Sequence, residues 1–244
     1  MGKTIVITGA GIGLGRALAR RFARDGEAVV LLGRTLTKVQ AVADELGAPA
    51  FAVACDVADP DSVRAAFAAI AERHPRIDVL INNAAVYEPF EVAQARDEQI
   101  AAIINTNLAG PIYCARSAIP MLGEGGAILN VSSESVVVDF PMLSLYQASK
   151  AGLEKFTQAL ARELDPRNIR VTTVRAGPMY EEGKSSGWDP EIGMRFGMAC
   201  AKAGLDLMTR PNSHVNSVTD VFRALIDLPP DVRVPHVSIE GRKP

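Results

Sequence analysis

Tyr146 and Lys150 stand four residues apart in the run Tyr146-Gln147-Ala148-Ser149-Lys150, thirteen residues after Ser133. On a helix, four residues at about 1.5 Å each put the phenol and the ammonium about 6 Å apart along the axis and on one face. A phenol titrates near ~10 in water, and a fixed ammonium beside it favours the phenolate. The spacing therefore predicts a tyrosine moved toward a pKa suited to proton exchange. An ordinary helix start, with Tyr146 packed and Lys150 in solvent, would use the same two residues. The rest of the chain has to separate these readings.

The run Thr4-Ile5-Val6-Ile7-Thr8 leads into Gly9-Ala10-Gly11-Ile12-Gly13-Leu14-Gly15, and the residues through Arg24 suit a helix. In that order, backbone N–H groups at the helix start cradle a pyrophosphate, while the glycines tighten the turn and let the helix approach the sheet. Dinucleotide binding is the prediction. Where a carboxylate would bind the adenosine ribose, the chain has Gly33 and then Arg34. An arginine without that carboxylate offers a 2′-phosphate a charge-assisted fork, which predicts NADP(H) over NAD(H). Lys38 and Arg16 stand as alternatives to Arg34, and Asp56 suits either the adenine amino group or a helix cap. Asn82-Asn83-Ala84 fits a cofactor wall better than a core, because two amides need partners.

Elements of one alternating kind must carry these groups. Short β-branched or apolar runs recur at 4–8, 28–32, 50–54, 77–82, 127–131, 170–175 and 234–239. Between them, 14–24, 35–46, 60–73, 97–121, 146–164 and 218–227 are long enough for helices, several with apolar residues at three- and four-residue spacing. The pattern predicts an α/β, doubly wound domain with a seven-stranded, mostly parallel sheet, spanning 1–244 as a single dinucleotide-binding catalytic domain. Residues 177–217 interrupt the alternation with scattered Gly and Pro beside Trp188, Met194, Phe196, Met198 and Met208. This segment reads as a substrate-covering lid, a packed helical excursion or a subunit contact.

Composition narrows the partners. With 48% hydrophobic residues in 244, the chain can bury a large core, and a net charge of −2 without like-charge blocks argues against nucleic acid and membrane partners. No stretch reaches 18 apolar residues. Cys55, Cys114 and Cys200 are odd in number and widely spaced, which favours reduced thiols over disulfides or a zinc site. His214 and His236 lack a third suitable ligand, so no metal is expected. The N-terminus enters its first strand before a cleavable apolar segment develops, and the expected location is cytoplasmic.

Taken together, these motifs resemble the short-chain dehydrogenase/reductase family over almost the whole chain. Thr8 through Gly15 matches TGxxxGxG, Asn82-Asn83-Ala84-Ala85 matches NNAG with alanine last, Asn107 with Gly110 fits NxxG, and Ser133, Tyr146 and Lys150 complete the set. The resemblance implies a Rossmann fold and an NADP(H)-dependent oxidoreductase that reduces a medium-sized ketone or aldehyde. Tyr146 would exchange the proton, Ser133 would orient the carbonyl oxygen, and Lys150 would bind the nicotinamide ribose and stabilise ionised Tyr146. Asn107 would support Lys150 through a backbone kink and a water. The cofactor would meet Gly9, Gly11, Ile12, Gly13, Leu14 and Gly15, then Arg34, Asp56 and Val57, then Asn83 and Ala84. Tyr146, Lys150, Gly177 and Met179 complete that set.

Two alternatives stand beside this function: a dehydrogenase of a small hydroxy acid or sugar-like alcohol, and a non-catalytic dinucleotide-binding sensor or scaffold. Ser133, Ser135, Phe140, Tyr146 and Trp188 are the expected substrate contacts, in a mainly apolar wall that Tyr87, Leu143, Met179 and Met194 extend. The resemblance further implies a homodimer or homotetramer. Three departures from the family pattern stand out. Glu181 fills the place of a threonine that binds the nicotinamide amide, Ala85 replaces a glycine, and Glu134-Ser135-Val136 lacks a glycine after Ser133.

Overall fold

The computed structural model describes residues 2–185 and 187–242. Ser186, inside the expected 177–217 lid, lies outside the described residues, as do Met1, Lys243 and Pro244. In chain order the first half runs β1 (Thr4–Thr8), α1 (Gly13–Arg24), β2 (Ala28–Gly33), α2 (Leu36–Leu46), β3 (Phe51–Ala54), α3 (Pro60–Arg73) and β4 (Ile77–Asn82). The second half runs α4 (Asp97–Ile104), α5 (Gly110–Ala118), β5 (Leu122–Ser133), α6 (Ser144–Leu164), β6 (Arg170–Ala176), β7 (Met179–Tyr180), α7 (Pro190–Lys202), β8 (Ser213–His214), α8 (Thr219–Ile226) and β9 (His236–Ile239).

Alternation along β1 explains the layers. Ile5 and Ile7 fall in one apolar cluster with Leu18, Phe22 and Phe222, while Val6 falls in another with Phe67, Leu80 and Leu160. Successive strand side chains point to opposite faces, so an unbroken apolar run requires helices on both. The sheet order β3-β2-β1-β4-β5-β6-β9, with every pair parallel, is the doubly wound Rossmann arrangement with seven strands. Its order reverses between β1 and β4, which opens a crevice beyond their carboxyl ends.

The expected single helix over 97–121 is instead broken. Between α4 and α5, Asn105–Ala109 forms a π-helical turn in which Gly110 N donates to Asn105 O, five residues back. Pro111, in the first turn of α5, has no N–H to give the carbonyl four residues before it, that of Asn107. β5 is longer than its 127–131 core, because Leu122 already pairs with Ile77 ahead of a register shift. The 177–217 segment contains α7 and a two-stranded ribbon of β7 with β8. Among the described residues, no helix is long and apolar enough to cross a membrane.

Candidate active site

β1 ends where the glycine turn needs it. Thr8 Oγ1 accepts from Asn83 N and Ala84 N, both at 3.0 Å, and the Asn83 amide donates to Thr8 O at 3.0 Å. These bonds lock the ends of β1 and β4 together. A Cβ on Gly15 would lie 2.3 Å from Gly9 O, and Gly9 itself has φ +67. No other residue fits this close approach of helix and turn. Asn82 is a correction: it does not line the cleft but is buried, donating to Asn130 Oδ1 at 2.8 Å. Asn130 in turn donates to Thr157 on α6 at 2.9 Å.

The cleft beyond the turn has a volume of about 400 Å3 and is lined by Gly9, Gly11, Ile12 and Leu14 at one side and Asn83 and Ala84 at the other. Arg34, Asp56 and Val57 line its far end, together with Thr35 and Lys38. Asp56 is not the cap of α3; Asp59 holds that place, accepting from Asp61 N. One Asp56 oxygen accepts from Ala58 N at 3.0 Å. Gly13 and Gly15 are buried in the turn itself.

A second cleft, of about 460 Å3, shares Leu14, Asn83, Ala85, Tyr87 and Tyr146 with the first. Ser133, Ser135, Phe140, Lys150, Gly177, Met179 and Trp188 line it as well. Ser133 ends β5, accepts from Ser135 N at 3.2 Å, and lines the cleft together with Tyr146. Ser132 is turned to other work, donating to Glu154 Oε1 at 2.8 Å.

The expected direction of the Tyr146 shift is reversed. Burial pushes the phenol up to about 12 against the opposing pull of Ser133. Lys150 is nearly fully buried and is itself pushed down to about 8. Its Nζ donates to Val131 O at 2.8 Å and sits 5.9 Å from the centre of the Tyr146 ring. Asn107, fully buried in the π-helical turn, spends its side chain on Val86 N at 2.9 Å, Val86 O at 2.8 Å and Ser149 Oγ at 3.2 Å. It lines neither cleft and holds the strand-β4 loop against α6.

Aromatic rings close the outer side. Tyr87 lies 5.6 Å from Tyr146 and 5.1 Å from Trp188, which packs edge-on against Phe196 at 5.6 Å. Trp188 Nε1 also donates to Tyr87 O at 3.1 Å. Sequence reasoning missed Arg210, which lines this cleft, pairs with Glu134 at 2.6 Å and stacks on Phe140. Burial pushes the Glu134 carboxyl up against the pull of Arg210. Nothing in the local sequence signals that pairing across 76 residues. Thr35 and Thr106 were also missed, and their only signal is adjacency to Arg34 and Asn107. The Glu181 carboxylate accepts from Gly13 N at 3.0 Å and from Arg16 Nη2 at 2.6 Å. Among the described residues, no group of three or more His, Cys, Asp and Glu is placed to hold a metal ion.

The model of a short chain dehydrogenase family matches residues 3–188. Carbonyl reductase family member 4 of Danio rerio is 34% identical over 75% of this chain and 78% of its own length. D-xylose 1-dehydrogenase of Caulobacter vibrioides is 36% identical over 78% of this chain and 77% of its own. Among solved structures, a short chain dehydrogenase from Burkholderia cenocepacia in complex with NADP superposes with a TM-score of 0.83 at 28% identity, covering 99% of this chain and 97% of that one.

Proposed function

The chain belongs to the short-chain dehydrogenase family, and from that membership we propose that it is an NADP(H)-dependent oxidoreductase reducing a medium-sized ketone or aldehyde to an alcohol. The observation that carries this reading is the meeting of the two clefts at Tyr146, in a lining that also holds Ser133 and Lys150, whose Nζ lies 5.9 Å from the Tyr146 ring centre.

The residues present fit a dinucleotide. Gly9, Gly11, Ile12 and Leu14 line the first cleft at the start of α1, where backbone N–H groups suit a diphosphate, and Arg34 and Lys38 add cations to the same lining. Gly9, Gly11, Ile12, Gly13, Leu14 and Gly15 would hold the diphosphate, and Asn83 and Ala84 would face the cofactor from β4. Arg34, with Thr35 and Lys38 around it, would receive a 2′-phosphate, and the NADP in the Burkholderia relative supports that choice. Asp56 has one carboxylate oxygen left for the adenine amino group, and Val57 packs beside it. Bound there, the nicotinamide supplies the hydride.

Tyr146 then gives its proton to the carbonyl oxygen. A phenol raised to about 12 keeps that proton at neutral pH, which suits reduction. Ser133 orients the oxygen, and the Lys150 ammonium stabilises the phenolate as it forms. Asn107 acts at one remove, because its bonds to Val86 and to Ser149 tie the loop after β4 to the helix that carries Lys150. Phe140, Trp188 and Tyr87 favour an apolar substrate body, with Ser135 adding a hydroxyl. Residues 177–217 complete the proposal as a lid, since Met179, Trp188 and Phe196 all face the cleft.

The test is NADPH consumption over a panel of ketones and aldehydes, repeated with Tyr146→Phe. We expect turnover in the wild type and a loss of about 10²–10⁴-fold in the variant with cofactor affinity retained. Unchanged turnover in Tyr146→Phe would sink the assigned mechanism.

A further inference from the structure

We propose that Glu181 competes internally with cofactor phosphate for the start of α1, and so sets the affinity for the dinucleotide. The inference rests on the reading of the glycine turn as the phosphate cradle. Glu181 lies 168 residues beyond Gly13 in the chain, yet its Oε2 accepts from Gly13 N at 3.0 Å and its Oε1 from Arg16 Nη2 at 2.6 Å. Its side chain is only 11% exposed. A carboxylate in this place satisfies the backbone donor and the positive helix end that would otherwise meet a phosphate.

Burial alone would push this carboxyl up, but hydrogen bonds from Arg16 and Gly13 N, with the charges of Arg16 and Lys184, hold it below the usual carboxylate range. Glu181 is therefore an anion at any pH near neutrality. Two anions cannot accept from one N–H without strong repulsion, so a diphosphate bound at Gly13 requires the carboxylate to leave. Its departure frees the Arg16 guanidinium. Lys184 is already beside the turn, because a Cβ on Gly13 would lie 2.7 Å from its Nζ. The segment that supplies the competing anion thus also brings a cation that a bound phosphate would gain.

An internal ligand lowers apparent affinity by the fraction of molecules in which it is released. Removing its charge should recover that factor. The experiment uses the full chain as wild type, Glu181→Gln and Glu181→Ala, titrated with NADPH, NADP⁺, NADH and inorganic pyrophosphate and followed by calorimetry and by the fluorescence of Trp188, the chain's one tryptophan. Thermal melts of the unliganded proteins accompany it.

The expected result is NADPH binding about tenfold tighter in Glu181→Gln, equal to about 1.4 kcal/mol, with pyrophosphate following the same trend. The unliganded variant should melt lower than the wild type, because the start of α1 has lost its anion. Equal affinities in all three proteins would overturn the competition while leaving the cofactor reading intact. Weaker NADPH binding in both variants would also overturn it, making Glu181 a direct cofactor contact. If no protein of the three binds any nicotinamide dinucleotide, the cofactor reading itself fails and this inference falls with it.

Discussion

A half-buried phenol and a buried ammonium constrain each other at the level of single residues. Tyr146 at about 12 holds its proton throughout the neutral range, so its own titration does not limit proton donation there. Lys150, pushed down to about 8 by burial, is charged below that value and neutral above it. If the ammonium stabilises the phenolate that forms as the proton leaves, carbonyl reduction should be level below pH 8 and fall above it. A kcat profile between pH 6 and 10 checks this, and Lys150→Met should be slower and lose the break. A profile without any fall above pH 8 would remove Lys150 from that role. Spacing alone left Tyr146 and Lys150 open to an ordinary helix start; the family resemblance joined Ser133 to them, and the hydroxyl of Ser132 is spent elsewhere, on Glu154. The direction of the tyrosine shift was not legible. It depends on desolvation by tertiary packing, with Tyr87 of the loop after β4 set 5.6 Å from the Tyr146 ring, which adjacent residues do not encode.

At the level of elements, β5 and α6 have to hold Ser133 in register with Tyr146 and Lys150. A polar chain behind the site does this: Ser132 and Arg175 both bond Glu154, with Arg175 reaching its two oxygens at 3.0 and 2.7 Å. Breaking such a pair strands the remaining charge, so Glu154→Ala should lower stability by about 3 kcal/mol. Urea unfolding measures it, and a loss under about 0.5 kcal/mol would show that the network is dispensable. The sign with pH follows from the same contacts. Burial tends to raise the Glu154 carboxyl, but Arg175 and Ser132 hold it net below its ordinary value. Its contribution is therefore full above the ordinary carboxylate pKa and lost as pH falls through the depressed one. Strand and helix order was readable because apolar runs and helical spacing alternate along the whole chain. The break between α4 and α5 was not legible in the apolar spacing, which runs on through it; only the kink at Asn107 that the family resemblance implies pointed there, and Pro111 was a further signal. Asn82 misled for a related reason: its neighbour Asn83 faces the cleft, and a one-residue step along a strand turns the side chain to the other side, where Asn130 awaits it.

For the molecule as a whole, the two halves of the sheet contribute different ends of one binding surface. β1 and β2 bring the glycine turn and Arg34, while β4, β5 and α6 bring Asn83, Ser133 and Tyr146. An unfolded chain presents neither half, so a dinucleotide that bridges them stabilises only the folded state. At a free concentration about 100 times Kd this adds about 2.7 kcal/mol, which raises Tm by roughly 5–10 °C for a chain of this length. Selectivity for the 2′-phosphate should appear in the same measurement. Arg34 is exposed at the mouth of the first cleft, where its guanidinium can form two parallel bonds to a phosphate without first leaving a buried partner. With both cofactors at one fixed concentration, NADPH should shift the wild-type Tm more than NADH. Arg34→Glu should reverse that order, because a carboxylate there repels the 2′-phosphate and accepts from a ribose hydroxyl. Equal shifts for the two cofactors in the wild type would take the 2′-phosphate away from Arg34, Thr35 and Lys38 together. Reversal in Arg34→Glu without loss of the NADH shift would place the selectivity on that one side chain, leaving the glycine turn to bind what both cofactors share.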